Sequence, residues 1–408
     1  MKHSFLPTSI LLPNSDVNLE KWSVVACDQF TSNKKYWNKV EKIVGEDPSS
    51  LNIIYPEAYL SEGEERIKRI NLVMREYNAN ILEEKVKDGF VLVVRETESG
   101  TRLGLIGQID LENYHYDPSV ITPIRATEGT IESRIPPRKK IRKDAIMELP
   151  HVMVLVDDIN QTLIEPLYER RQSLFKLYDF DLMQNGGHIS GYAIDGQNAE
   201  NLSQLINEYE DQSNGFFLAV GDGNHSLATA KACWEDVKLG LSEEEKENHP
   251  ARFALVEMVN LHSNALKFEP IHRVVFNCDP KDLCDSLEDF IDDHNMMLLT
   301  GEDVVIVTDT ENHYEIDNKQ GRLPVDVLQE FLDGYVASHP ECEIDYIHGE
   351  DEVKELVNDH TVGFLLGPIV KDTLFSAIQA GGVLPRKTFS MGTANEKRYY
   401  LEARRITR

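Results

Sequence analysis

Apolar and polar positions along the chain predict alternating strands and helices. Residues 22–27 (WSVVAC) read as a short strand ending at Asp28, and residues 36–44 have helical spacing. Residues 62–84 place Ile67, Ile70, Met74 and Ile81 on one side, which predicts a long amphipathic helix with an ordinary core-facing stripe. Residues 90–95 and 102–110 alternate like paired strands around Glu98-Ser99-Gly100, the signature of a hairpin. A strand at 152–156, a helix at 163–178 and a strand at 216–220 continue the alternation. Residues 253–261 and 268–276 add two further strands. The first contains Glu257, which must face solvent or be paired, because an unpaired buried charge is costly. Alternation of this kind indicates a mixed α/β or α+β core.

Beyond Asp279 the chain becomes more acidic and predicts a helix (283–294), a hairpin (304–316), a helix (325–338) and a strand, helix, strand sequence to Gly367. At 408 residues the chain exceeds a typical domain. The expected organisation is a main α+β domain over 1–278, a second acidic α/β lobe over 279–360, and a segment 361–408 returning to the main domain.

The most chemically suggestive stretch is Gly221-Asp222-Gly223-Asn224-His225-Ser226, between the strand at 216–220 and the helix-like 227–232. Gly221 and Gly223 let the backbone turn sharply and approach a ligand. Asn224 or Ser226 can cap the helix, whose first N–H groups then form an anion site suited to phosphate. Asp222 supplies a hard oxygen ligand for a cation such as Mg²⁺, and His225 can titrate or donate to a phosphoryl oxygen. A capped strand-to-helix connection without a ligand is the alternative.

Composition limits the partners. The formal charge of −28 opposes nucleic acid, so any anion must be met by a local basic island. One island runs from Arg125 through Arg134 to Arg138, Lys139, Lys140, Arg142 and Lys143. Arg125 and Arg134 are favoured as phosphate contacts because Thr127-Glu128-Gly129 gives the intervening segment the look of a shaped turn. A helix over 141–148 is expected to follow. Arg386, Lys387, Lys397, Arg398, Arg404 and Arg405 form a second cluster, with Lys387 the cation expected in the pocket. Asp28 is the candidate base, with His225 and Glu128 next. His188, in a glycine-rich turn, is a weaker candidate. Five scattered cysteines without a CxxC pair argue against a disulfide framework or zinc knuckle. The N-terminus lacks an unbroken apolar signal segment and no run is long enough to cross a bilayer, which points to a cytoplasmic protein.

The phrases VVACDQFTS (24–32), RATEGT (125–130), ELPHVMVLVDD (148–158), GDGNHSLATAK (221–231), FEPIHRVVF (268–276), GFLLGPIV (363–370) and LPRKTFSMG (384–392) resemble, in order and over essentially the whole chain, the bacterial family catalogued as domain of unknown function 1015. That family is in turn distantly similar to the ParB and sulfiredoxin superfamily, which includes nucleotide-binding proteins and an archaeal free serine kinase. The resemblance implies a ParB-like core and aligns Asp28 with an acidic residue after the first strand. The usual family phrase at the turn is closer to Asp-Gly-His-His-Arg, so Asn224 and Ser226 depart from it. If the missing Arg holds a phosphate elsewhere in the family, Lys231 or Arg125 could substitute here.

Two classes of function follow. In one, a phosphoryl-transfer enzyme acts on a small hydroxyl metabolite such as serine, with Asp28 accepting the hydroxyl proton and ATP or ADP as donor; a phosphomonoesterase would use the same parts with water as acceptor. In the other, the protein binds a nucleotide or phosphorylated metabolite without catalysis, as a monomer or homo-oligomer. Walker-type GxxxxGK[ST], HExxH and GxSxG motifs are absent from the sequence.

Overall fold

The computed structural model describes residues 3–30, 33–318, 322–368, 370–385 and 387–407. The chain divides into a larger unit, 1–266 with 392–408, and a second unit, 267–391. The boundaries expected at 278 and 360 both fall inside the second unit. Among the described residues, no helix is long and apolar enough to cross a membrane.

The larger unit is built on an eleven-stranded mixed sheet. Its strands are β1 (Phe5–Leu6), β2 (Thr8–Pro13), β3 (Leu82–Thr97), β4 (Gly100–Asp110), β5 (Tyr114–His115), β6 (Ile124–Ala126), β7 (Met153–Val156), β8 (Phe175–Asp181), β9 (His188–Ile194), β10 (Leu218–Asp222) and β11 (Phe253–Asn260). Their order is β8-β9-β3-β4-β11-β7-β10-β6-β5, with β1 pairing β4 and β2 pairing β3. The predicted hairpin is β3–β4, closed at Thr97 and Gly100.

Period-two alternation sorts the sheet's side chains into two cores. Phe90, Leu92 and Val94 join Leu218 and Val220 on the face that packs with Leu202, Ile206, Leu227 and Trp234. Val91 and Val93 join Leu255 on the other face, with Trp37, Ile70, Tyr399 and Tyr400. The four helices that matter to the site are α1 (Lys34–Val44), α2 (Gly63–Asn80), α3 (Ile135–Arg142) and α4 (Asn224–Lys238).

Three predicted helices end differently from the expectation. The 62–84 pattern stops at Asn80, because residues from Leu82 onward pair with β2 as a strand. The basic run is itself α3, with Pro136 in its first turn, while Met147–Glu148 is a short strand pairing Arg404–Arg405. Of residues 163–178, only Glu165–Glu169 is α-helical, and Phe175 onward becomes β8.

Glu257 is paired rather than solvated. It is 1% exposed, and its Oε2 lies 2.9 Å from Nη1 of Arg398, whose Nη2 also bonds Glu402. The pocket for the Glu257 carboxylate exists because Gly104 has no side chain, and a Cβ there would sit 2.0 Å from Glu257 Oε1.

The second unit is a five-stranded antiparallel sheet in the order Glu311–Asp317, Met297–Val307, Thr361–Leu366, His272–Phe276, Glu343–Ile347. Helices Pro280–Asp293 and Pro324–Ser338 cover one face through Leu283, Leu287, Leu328 and Phe331, and Val353 covers the other.

Arg398→Met should lower unfolding stability by about 3–5 kcal/mol, because it strands two buried carboxylates. Urea unfolding of Arg398→Met, Glu257→Gln and the double variant tests this, and the double variant should cost less than the sum of the singles.

Candidate functional site

The site is built at the C-terminal end of β10. Leu218, Ala219 and Val220 are fully buried, as suits a strand with neighbours on both sides. β10 runs parallel to β6 and antiparallel to β7, and the β7 register shifts between Val220 and Asp222, so Gly221 sits at an irregularity. Gly223 then adopts φ 83° and ψ 25°, the left-handed region, and a Cβ there would lie 3.1 Å from Val152 Cα. Both constraints select glycine.

Gly223 is also the N-cap of α4, and no side chain caps the helix. Asn224, expected as a cap, instead donates to Thr127 Oγ1 (3.3 Å) and Val220 O (3.4 Å), and Thr127 donates to Val220 O at 2.6 Å. Ser226, half-buried in the first turn, makes no cap either. Leu227 N–H bonds Gly223 O at 3.0 Å, which leaves the N–H groups of Asn224, His225 and Ser226 without a partner among the described residues. Asn224 Oδ1 is a buried acceptor with no donor among them.

His225 reports what surrounds this helix start. Its Nε2 accepts from Ile131 N–H at 3.2 Å, so the ring is neutral with its proton on Nδ1. Burial, together with Arg138 and Arg134, pushes its pKa down to about 4, while Asp28 acts in the opposite direction. Asp28, Arg134 and Arg138, distant from it in sequence, therefore lie within electrostatic reach of His225. Arg138 forms an ion pair with Glu57, whose pKa burial raises, with a further upward push from Asp28; Arg138, Arg134 and His151 oppose the shift. Glu57 is tied to the Asp28 segment by its N–H, which donates to Cys27 O at 2.8 Å. Tyr400 OH accepts from Cys27 N–H and lies 3.2 Å from His151 Nδ1. Burial beside Asp28 pushes the Cys27 thiol up to about 12, so it is an inert thiol rather than a nucleophile.

Asp222 does not present an open carboxylate. One oxygen accepts Gly223 N–H at 2.9 Å and the other faces Lys397 Nζ at 3.3 Å. The described residues hold no group of three or more His, Cys, Asp or Glu placed around a metal ion. This donor set does not fit a protein-held Mg²⁺, and Asp222 is instead the anchor of Lys397.

Several expected contacts lie elsewhere. Arg125 donates from Nε to Thr122 O (3.1 Å) and stacks 4.5 Å from the Phe216 ring, before β10 begins. That is the opposite end of a strand spanning about 13 Å at ~3.3 Å per residue. Lys231 is buried against Leu111 O and Glu235. His188 bridges Asp179 (2.6 Å) and Asp181 (2.7 Å) across β8 and β9. Lys387 belongs to the second unit, with φ 60°, and Arg386, Thr31 and Ser32 fall outside the described residues. Glu128 is half-buried between Thr127 and Ile131, two residues that both touch the turn. Glu57, His151 and Tyr400 were not among the sequence candidates; Glu57 and His151 each follow a proline, a signal too common to single them out.

Comparison with known proteins gives a family. A model described as "Protein of unknown function (DUF1015)" matches residues 8–335, most of the chain. The chain belongs to that family. No curated protein matches it. Among solved structures it is similar to a conserved hypothetical protein from Pyrococcus furiosus (10% identity, TM-score 0.35, covering 72% of this chain and 90% of that one). It is similar too to a free serine kinase in complex with AMP (10% identity, TM-score 0.39, 73% and 91% covered). A third is SbnI with a C-terminal truncation from Staphylococcus aureus (12% identity, TM-score 0.36, 70% and 83% covered).

The neutral state of His225 predicts an acid-sensitive contribution to folding. Its folded-state pKa lies below the unfolded value of about 6.5, so the unfolded chain binds the extra proton between the two. The contribution is complete above about pH 6.5 and is lost as pH falls toward 4. In unfolding titrations, the stability advantage of wild type over His225→Asn should shrink by about 1–2 kcal/mol across that window, after allowance for the partial exposure of the ring. A gap independent of pH would mean that His225 does not titrate as described.

Proposed function

We propose that the larger unit binds the phosphoryl group of a small phosphorylated molecule or nucleotide at the start of α4 and transfers it to the hydroxyl of a small metabolite. The observation that carries this reading is the uncapped N-terminus of α4, whose first-turn His225 lies within electrostatic reach of Arg134, Arg138 and Asp28. A phosphoryl group needs backbone donors and fixed cations, and the attacking hydroxyl needs a base.

In this reading the N–H groups of residues 224–226 and His225 Nδ1–H hold the phosphoryl oxygens. Arg134, Arg138 and Lys397 offset the negative charge. Asp28 takes the proton from the attacking hydroxyl as the new O–P bond forms and the bond to the leaving group breaks. The partnerless Asn224 Oδ1 suits a ligand hydroxyl. ATP or ADP is the proposed donor, serine a candidate acceptor, and the distant ParB and sulfiredoxin resemblance of the sequence agrees with a nucleotide ligand. Because the residues present do not fit a protein-held Mg²⁺, no step is assigned to one. The protein is read as cytoplasmic, with no nucleic-acid partner at a formal charge of −28. The same uncapped helix start serves a second reading equally, binding of the phosphorylated ligand without catalysis.

A thermal-shift screen of nucleotides, phosphoserine and sugar phosphates, with and without Mg²⁺, tests binding. A ligand at one hundred times its Kd should stabilise the protein by about 2.7 kcal/mol. With a turning-over ligand pair in hand, Asp28→Asn should lower kcat about a hundred- to ten-thousand-fold with Kd nearly unchanged, whereas Asp222→Asn, which frees Lys397, should chiefly weaken binding. Stabilisation without turnover would favour the binding reading. Wild-type turnover in well-folded Asp28→Asn would remove Asp28 as base.

A further inference from the structure

Lys397 is delivered to the turn by a stretch of main chain that two buried arginines grip. Arg95 and Arg102 stand opposite each other in the β3–β4 ladder, 2% and 4% exposed, and neither has a carboxylate within ion-pair distance among the described residues. Arg95 directs all five of its N–H donors at backbone carbonyls instead. Nε and Nη2 donate to Gly186 O (3.2 and 2.8 Å), Nη2 also to Asn395 O (2.6 Å), and Nη1 to Glu396 O (3.3 Å) and Lys397 O. Arg102 Nη1 adds a second donor to Glu396 O at 2.8 Å. Three successive carbonyls of the C-terminal segment, 395–397, thus close on one guanidinium, and the Tyr399 ring lies 4.9 Å from it. Two buried like charges without carboxylates at contact do not stabilise a fold by their charge, so what they supply is position.

The residue so placed is Lys397. Its side chain is 12% exposed, and its Nζ lies 3.3 Å from Asp222 Oδ2. The other oxygen of Asp222 accepts the N–H of Gly223, the N-cap of α4, at 2.9 Å. A single carboxylate therefore joins the ammonium to the helix start. An ammonium carries three donors, and Nζ has no other partner among the described residues, which leaves donors for a ligand. The N–H groups of residues 224–226 are likewise without partners among them, and buried Asn224 in that turn holds an Oδ1 without a donor.

We propose that Lys397 donates directly to the oxyanion bound at the start of α4, and that Arg95 and Arg102 are positioning residues that act through it by fixing the backbone of 395–397. The proposal rests on the reading that an oxyanion binds there, and it names the direct side-chain ligand and what aims it. A lysine meets an oxyanion as a point charge on a flexible stem, so its aim depends on where its Cα is held. Asp222 keeps the ammonium beside the turn, and the arginines keep the Cα within reach of Asp222. An ion pair that merely ties the C-terminal segment to β10 is the competing account, and it predicts different behaviour.

Sulfate is the probe, because its charge is constant near neutral pH, and its affinity is read by calorimetric titration of the full chain at fixed ionic strength. Lys397→Met should weaken sulfate about tenfold or more, the order of one hydrogen bond to a charged group, whereas Lys68→Met, the same charge change at an exposed residue of α2, should alter it less than about twofold. Arg95→Lys keeps the charge but not the five donors. It should weaken sulfate about fivefold or more in the wild-type background and less than about twofold in Lys397→Met, because its effect passes through Lys397. Arg102→Lys is read in the same two backgrounds and decides the positioning role if Arg95→Lys does not fold. In wild type, saturating sulfate should also slow acetylation of Lys397 by acetic anhydride, followed by mass spectrometry against Lys68. Wild-type affinity in Lys397→Met, or acetylation of Lys397 unchanged by sulfate, would overturn the proposal while leaving the oxyanion reading intact. A loss of the same size in both backgrounds, or no loss in the wild-type background, would overturn the positioning role of the arginines. No sulfate binding by wild type would overturn the oxyanion reading and the proposal with it.

Discussion

The buried Arg398 guanidinium, held between Glu257 and Glu402, is the interaction on which the candidate site depends. Replacing such an ion group by apolar residues is often neutral, but removing one member leaves charges in a low-dielectric interior. The group therefore fixes position more than it adds stability. Position is what the C-terminal segment needs, because residues on either side of Arg398 reach the site. Lys397 extends to Asp222, and Tyr400 reaches Cys27 and His151. The same segment fixes the N-terminal strand: Ala26 N–H donates to Arg398 O at 2.9 Å, Tyr399 pairs Val25, and Trp22 donates to Leu401 O at 3.0 Å. The position of Asp28, two residues beyond Ala26, is thus set by the far end of the chain, 379 residues along from Trp22 at Leu401.

Long-range stitching of this kind explains what the sequence revealed and what it did not. The β3–β4 hairpin was legible because its alternation and turn are local, and the β10–α4 connection because glycine is required by both its φ and its contact with Val152. Local patterns failed where tertiary pairing overrode them. The periodicity at 62–84 continued past Asn80, yet Leu82–Pro13 pairing converts the end into a strand. Arg125 and Arg134 looked alike as arginines on one basic run, but a ring at Phe216 captures the first, whereas the second acts electrostatically on His225. Nothing local distinguishes Lys397 from Lys387; only the fold places Lys397 beside Asp222.

The neighbourhood of the turn also illustrates how opposing charges act on titratable groups. Glu57 is raised by burial and by Asp28 but held back by its ion pair with Arg138, while His225 is lowered by burial and the same arginine. Arg138 thus acts on an acid and a base at once.

A net charge of −28 and the proposed anion site are compatible because charge acts over different distances. Across the surface, interactions beyond about 8 Å are largely screened at physiological salt. Around the turn, Arg138 and Lys397 are half-buried, so their charge is screened less than that of the exposed Arg134. The long-range field that would repel a polyanion such as nucleic acid bears far less on a small dianion at the turn. On the proposed function, the charge distribution would discriminate by ligand size: a compact phosphate would meet the local cations, whereas an extended phosphate backbone would meet net repulsion over its whole length.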